Sequence, residues 1–254
     1  MLTVASRTDQ TGATITGLQP KFPPMHIPKE SLQTLMSHAG NFHLDDLPPG
    51  LRKLVNSGKV SQKLTELIKE ICIISSFTST IEPTDDIRPS LVNARICLTY
   101  RVLTLSKRSE AEEGMIQLNK DFEECIRVVA LIYTNWALLL IPGYYVIHEQ
   151  LACQLRNALS RTDLDLDWIG YEDLLLWTLF VGSAVCPGTK IRGWFVGSAA
   201  RVAKKMSLQC WKEAKTVLTM FLYNAKICEK PWELIWMDAT AIGVPELEES
   251  DLRR

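Results

Sequence analysis

Between residues 45 and 240 apolar residues return every three or four positions, the repeat that lays one stripe along one face of an α-helix. In Ser61–Phe77 the stripe is Leu64, Leu67, Ile68, Ile71 and Ile74. Pro89 suits the first turn of a second helix, where its missing N–H costs nothing, with the stripe Leu91, Ala94, Leu98, Val102 and Leu105. A third helix spans Met115–Ile141 through Phe122, Ile126, Val129, Tyr133, Trp136 and Leu140, and Pro142-Gly143 ends it. The region 144–160 carries Ile147, Leu151, Leu155 and Leu159. Gly170–Val185 is apolar almost all round, the mark of a helix buried on most sides, and Cys186-Pro187-Gly188 closes it. Three more helices follow, over about Thr189–Ser207, over Cys210–Ile227, and from Pro231 as a first helical residue. Alternating β patterns are nearly absent. The pattern predicts an all-α fold, a single multi-helix domain of eight or nine helices over about 45–240.

Residues 1 to about 44 are polar, hold Pro20, Pro23, Pro24 and Pro28, and show no sustained period. They read as a leader, flexible or lying against the body, with one short helix at Ser31–Ser37. Asp45-Asp46-Leu47-Pro48-Pro49-Gly50 then forms a turn, and Lys107–Gly114 a charged connector. Residues 241–254 form an acidic tail through Glu246, Glu248, Glu249 and Asp251. No sustained internal repeat supports a solenoid.

Composition narrows the function classes. Of 254 residues, 46% are hydrophobic and 22% charged, ordinary for a globular chain. The 28 Lys+Arg against 29 Asp+Glu leave a net charge of −1, without the basic excess of a nucleic-acid-binding domain. The most apolar stretch, Val128–Ile141, is too short for a membrane span, which needs about 20 residues. The N-terminus lacks the apolar core of a secretory signal. The seven cysteines, at 72, 97, 125, 153, 186, 210 and 228, lie too far apart for any zinc pattern. They read as buried free thiols in a reducing compartment, with no metal expected, and no motif along the chain calls for a cofactor.

Motif fragments resolve mostly into structural roles. Asp163, Asp165 and Asp167 mimic the opening of a calcium loop, but the sixth and twelfth positions are Trp168 and Leu174 instead of Gly and Glu. Asp45-Asp46 and Asp85-Asp86 resemble aspartate-rich magnesium motifs, but Pro49 and Pro89 stand where a further carboxylate is needed, so both pairs read as turns. His148-Glu149 starts like a zinc-protease helix without its second histidine, since position 152 is Ala152. Gly182-Ser183 and Gly197-Ser198 lie inside helical runs and read as small residues that let helices approach. Between Lys190 and Lys215 seven basic residues face one acid, Glu213, a solvated face or an anion-binding one. All seven tryptophans, on helical segments of the C-terminal half, read first as core packing and second as walls of an aromatic-lined cavity.

With these helices placed, several stretches resemble the regulatory domain of fungal-specific transcription factors of the zinc-cluster class. Phe122-Glu-Glu-Cys-Ile-Arg-Val-Val-Ala-Leu-Ile-Tyr133 is similar to the family's "ECCRLAALIY" helix. Leu151, Leu155, Arg156, Ala158 and Leu159 match its "LxxxLRxAL" helix, and Leu174-Leu-Leu-Trp-Thr-Leu-Phe-Val-Gly182 resembles "ELLLWVLFVG". Arg192-Gly-Trp-Phe-Val-Gly-Ser-Ala-Ala-Arg201 is similar to "RxWFVxxLARV", and Trp211–Leu222 to "WEEVRxVLxxFLW". Leu47-Pro-Pro-Gly-Leu-Arg-Lys-Leu54 matches the "LPPGFRxL" lead-in. Such family members usually carry six clustered cysteines that bind two zinc ions and read DNA, and this chain has no such cluster.

The resemblance implies a transcription-regulator-like protein, nuclear, that acts through protein partners (a full-length regulator or a second copy) or a small hydrophobic effector, with no DNA binding of its own and no membrane association. The alternative is a cytoplasmic enzyme of secondary metabolism, a cyclase or isomerase, using an aromatic-lined pocket of the same fold. His148 and Arg192 are then the catalytic candidates, and Tyr133, Trp177 and Trp194 the candidate ligand-binding walls.

Overall fold

A computed structural model describes residues 12–13, 20, 46–80, 88–105, 117–138 and 145–242. Among them are nine α-helices and no strand: α1 Pro49–Asn56, α2 Gln62–Thr80, α3 Arg88–Leu105, α4 Gln117–Tyr133, α5 Tyr145–Leu159, α6 Glu172–Ala184, α7 Lys190–Lys205, α8 Trp211–Leu218 and α9 Ala225–Ile242. The predicted all-α class and helix number hold. The described residues of the leader are 12, 13 and 20, and Ala13 is buried against the core. The short helix at 31–37, the aspartates at 45, 85 and 86, the connector at 107–114 and the acidic tail beyond 242 lie outside the described residues.

The core is centred on α6, buried along its whole length from Leu174 to Ser183. It packs against α4, α5, α7, α8 and α9. Its sequence makes this possible, because an apolar surface on every side is stable only when every side is covered. Glu172 and Asp173 in the first turn complement the positive end of the helix dipole. After Ala184 the chain turns through Gly188, whose positive φ of 74° suits glycine. On the other side α2, α3 and α4 form a second group. The predicted stripe Leu64, Leu67, Ile68, Ile71 and Ile74 of α2 is buried, as are Leu91, Ala94, Leu98 and Val102 of α3. A buried Arg127 on α4 donates to the Val102 carbonyl of α3 at 3.2 Å while Glu124 holds it in a two-pronged pair at 2.7 Å. The Glu123 carboxylate accepts the Ser61 amide at 3.1 Å and its hydroxyl at 2.5 Å, tying the start of α2 to α4.

The structure departs from the sequence pattern in four places. The α4 helix ends its regular turns at Tyr133 and continues as a single π turn, Thr134–Leu138. The predicted helix 210–227 is broken at 219–224, because tertiary bonds compete for its backbone. The Met220 carbonyl accepts the Gly50 amide at 2.8 Å, and the Leu222 carbonyl accepts the Trp177 indole at 3.1 Å. Asn224 then starts α9, its carbonyl taking the Cys228 amide at 2.7 Å. Pro231 therefore sits inside α9 rather than at its start. Finally, Trp168 lies in the loop between α5 and α6 and not on a helix, yet it is fully buried.

Close approach of helices depends on Gly182 and not on Gly197. A Cβ at position 182 would sit 2.5 Å from Cε1 of the buried Phe195 on α7, whereas one at 197 would meet nothing within 4 Å. Alanine stabilises a helix interior over glycine by about 1 kcal/mol, and overpacking a filled core costs about 1–3 kcal/mol. The two substitutions should thus have opposite signs in urea denaturation. Gly182→Ala is expected to lower stability by about 1–2 kcal/mol, and Gly197→Ala to raise it by about 0.5–1 kcal/mol. A stabilising Gly182→Ala would show that Phe195 gives way freely.

Candidate functional site

Four parts of the chain converge on an aromatic band in the C-terminal half. Tyr133 ends α4, Trp136 stands in the π turn, and α6 supplies Trp177 and Phe180. Phe221 and Tyr223 come from the α8–α9 link and Trp232 from α9. Tyr133 and Trp177 have ring centroids 6.2 Å apart, and Trp177 stacks on Phe221 at 5.6 Å. Phe180 meets Trp232 edge-on at 6.1 Å, and Tyr223 is tilted against it at 5.4 Å. Trp136 lies within 26° of parallel to Trp232, with centroids 6.5 Å apart. Trp136 and Tyr223 are half-buried, while Phe180 and Trp232 are fully buried. The Tyr223 hydroxyl donates to Glu229, which also pairs with Lys215 at 2.5 Å.

The polar atoms of this band are unevenly satisfied. A buried indole N–H ordinarily finds an acceptor. Trp168 donates to the Thr162 hydroxyl at 3.1 Å and Trp177 to the Leu222 carbonyl at 3.1 Å. Trp232, just as deeply buried, has no acceptor for its Nε1 proton. Two buried hydroxyls of α6, on Thr178 and Ser183, are also without partners. The π turn itself is well bonded: Thr134 donates to the Ala130 carbonyl at 2.8 Å and Asn135 to that of Leu131 at 2.9 Å. Such single π turns often accompany functional sites in helical proteins.

Of the five residues singled out from the sequence, two come together. Tyr133 and Trp177 are neighbours in the band. Trp194 is turned elsewhere, edge-on to Phe195 at 5.1 Å and under the Arg156 guanidinium at 5.8 Å. Arg192 of α7 pairs with Asp238 of α9 at 2.5 Å, which clamps two helices together. His148 is half-buried on α5; burial pushes its pKa below the usual histidine value and favours the neutral ring. No described carboxylate pairs with it. Tyr133 shares a hydrogen bond of 3.2 Å with Ser75, and burial pushes its hydroxyl pKa upward although that bond lowers it. Phe180, Tyr223 and Trp232 were not among the candidates. The signal for Tyr223 and Trp232 was the break at 219–224, which periodicity does not reveal.

The remaining motifs resolve into local roles. One Asp163 oxygen accepts the amides of Asp165 at 2.9 Å and Leu166 at 3.1 Å, and Asp167 accepts the Asp163 amide at 2.7 Å. These carboxylates fasten their own loop. Among the described residues no group of His, Cys, Asp or Glu could hold a metal ion, and no helix is long and apolar enough to cross a membrane. The basic run is partly neutralised, since Arg192 pairs with Asp238, Lys205 approaches Glu172 at 3.8 Å and Lys215 pairs with Glu229. The chain matches no protein-family model, no curated protein and no solved structure.

All seven cysteines are free; Cys72, Cys125, Cys186 and Cys228 are buried, Cys97 and Cys153 half-buried. Cys210 is exposed, against the expectation that every thiol is buried, because it precedes α8 on the surface. Burial pushes Cys72 and Cys228 up from 9.0 to about 12 and Cys186 to about 11. The folded state therefore holds these protons more tightly than the unfolded chain. That contribution is complete below pH 9 and is lost as pH rises toward 11–12. The urea midpoint should fall steadily from pH 9 to 11, and a flat profile would refute the assignment. At pH 8 a maleimide should label Cys210 first and leave Cys72, Cys125 and Cys228 unlabelled until the protein unfolds.

Proposed function

We propose that this chain is a regulatory module whose output on transcription is set by a small apolar effector, with a protein partner as the receiver. The observation that carries the reading is the aromatic band. It runs from half-buried rings at Trp136 and Tyr223 to a fully buried indole whose proton has no acceptor. Apolar walls with one or two unsatisfied polar groups are the usual chemistry of small-molecule recognition. The resemblance to the regulatory domain of zinc-cluster transcription factors supports the same reading. The stretches that carry it lie largely on α4 to α8, the helices that build and support the band. A nuclear location belongs to this proposal.

The enzyme alternative has less support. His148 and Arg192 are on different helices, and Arg192 is engaged by Asp238, so the two form no acid–base pair. A receiving partner is supported by Leu234, Met237 and Ile242, large apolar side chains that stand exposed on α9.

The test is a reporter assay with the full chain fused to an unrelated DNA-binding domain. Reporter output is expected to change severalfold relative to that domain alone, in either direction. The band variant Trp136→Ala should reduce the change, because it removes one wall while leaving the deeper core packed. Output identical to that of the DNA-binding domain alone would overturn the proposal.

A further inference from the structure

Helix α9 carries two stripes, and its packing in the fold uses one of them. Cys228, Trp232, Ile235, Trp236 and Ala239 face inward and are buried. On the opposite side Ile227, Lys230, Leu234, Met237 and Ala241 recur at spacings of three, four, three and four. Ile227 is half-buried and the other four are exposed, Leu234 by 52% and Met237 by 59%. Alternate steps of three and four are the spacing of a coiled-coil seam, in which each side chain fits between those of a second helix.

The charges around this seam specify the second helix. Lys230 is exposed and has no acidic partner among the described residues. Glu233 and Asp238 flank the seam on its two sides. Asp238 pairs with Arg192 yet keeps 49% of its side chain exposed. A parallel copy of α9 would set Lys230 against Lys230 and Glu233 beside Asp238, like charges at both places. An antiparallel copy instead layers Leu234 on Met237 and Lys230 on Ala241. The small alanine leaves room for the lysine stem, and the ammonium comes to Asp238 of the second copy. A two-fold axis makes the same contact twice, so the face is complementary to itself.

We infer that the outer face of α9 is a homodimer interface, an antiparallel pair of α9 helices about a two-fold axis between Leu234 and Met237, with Lys230 of each copy against Asp238 of the other. This names the receiving partner of the regulatory reading and rests on it for its purpose, while the pairing itself rests on α9. The helix has 18 residues, a length of about 27 Å. One helix pair of this length buries less than the roughly 1,200–2,000 Å² of a standard interface, so the dimer is a reversible one.

In sedimentation equilibrium the full chain should pass from monomer to dimer with a Kd on the order of 10–100 µM. Leu234→Glu puts a charge into the seam and should raise Kd more than about tenfold, with the circular dichroism melt unchanged because the side chain is exposed. Two charge variants should fail alone and succeed together. Lys230→Glu sets acid against acid at both ends of the pair and Asp238→Lys sets base against base, so each should dimerise about tenfold more weakly than wild type. Mixed in equal amounts they regain both opposite-charge contacts, and a heterodimer of wild-type affinity should form. Should Asp238→Lys fail to fold without its Arg192 pair, wild type, Leu234→Glu and Lys230→Glu still decide.

A chain that stays monomeric up to about 300 µM would overturn the inference and leave the face to another protein or to the residues after Ile242. A dimer indifferent to Leu234→Glu uses another surface, and two folded charge variants that do not recover on mixing pair in another way; either result also overturns it. The reporter assay separates the two proposals. A reporter response without a dimer keeps the regulatory reading and removes this pairing, and a dimer without a reporter response does the reverse.

Discussion

The burial of α6 on every side is the constraint on which the rest of the molecule depends. A helix that is apolar all round satisfies its own backbone but offers no face that tolerates water. It is stable here because α4, α5, α7, α8 and α9 enclose it. That enclosure sets tight local conditions. Gly182 is required so that Phe195 of α7 can lie against the helix, and the indole of Trp177 must find an acceptor outside α6. It finds one at Leu222, and the Gly50 amide draws on Met220 two residues earlier. Between them these bonds hold the α8–α9 link open. The position of Tyr223, and through it of the aromatic band, follows from the packing of α6.

Much of the fold was legible because helical stripes depend on local spacing. The stripes of α2, α3 and α5 and the uniform apolarity of α6 could be read directly, and the stripe residues are buried except for Leu105 at the end of α3, which is half-buried. What could not be read were the places where distant groups decide the backbone. No local signal separates α8 from α9, since Thr219–Asn224 is as apolar and as helix-compatible as its surroundings. Pro231 was misplaced for the same reason. A proline favours the first turn of a helix, but here Asn224 had already started one. Trp168 shows a related limit. Its burial comes from Phe122, 4.7 Å away on α4, and from its bond to Thr162, and not from any periodicity of its own loop.

The candidate site was legible by residue type and only in part by residue number. The tryptophans point to the half of the chain where the aromatic band forms, and Tyr133 and Trp177 do meet there. Trp194 was chosen on the same grounds and serves instead as packing for Phe195 and Arg156. Arg192, a catalytic candidate by residue type, stands opposite Asp238 of α9, a partner that local sequence does not reveal. Partly exposed pairs of this kind contribute modestly to stability, and their clearer role is to fix which helices lie side by side.

Three buried neutral side chains, on Thr178, Ser183 and Trp232, stand apart from the other polar groups of the core. Elsewhere the neutral polar side chains are matched close at hand. Ser75 is paired with Tyr133, Thr134 with the Ala130 carbonyl, Thr162 with Trp168, and Thr99 with the Arg95 carbonyl. Among the described residues, the buried neutral side-chain atoms without a partner are on Thr178, Ser183 and Trp232, all on the packed pair α6 and α9. Each such atom gives up water and gains nothing in return, a penalty of about 1–3 kcal/mol that a purely structural core avoids by placing an apolar residue there. Valine in place of Thr178 or phenylalanine in place of Trp232 would fill nearly the same space without it. Stability alone therefore does not account for these three residues.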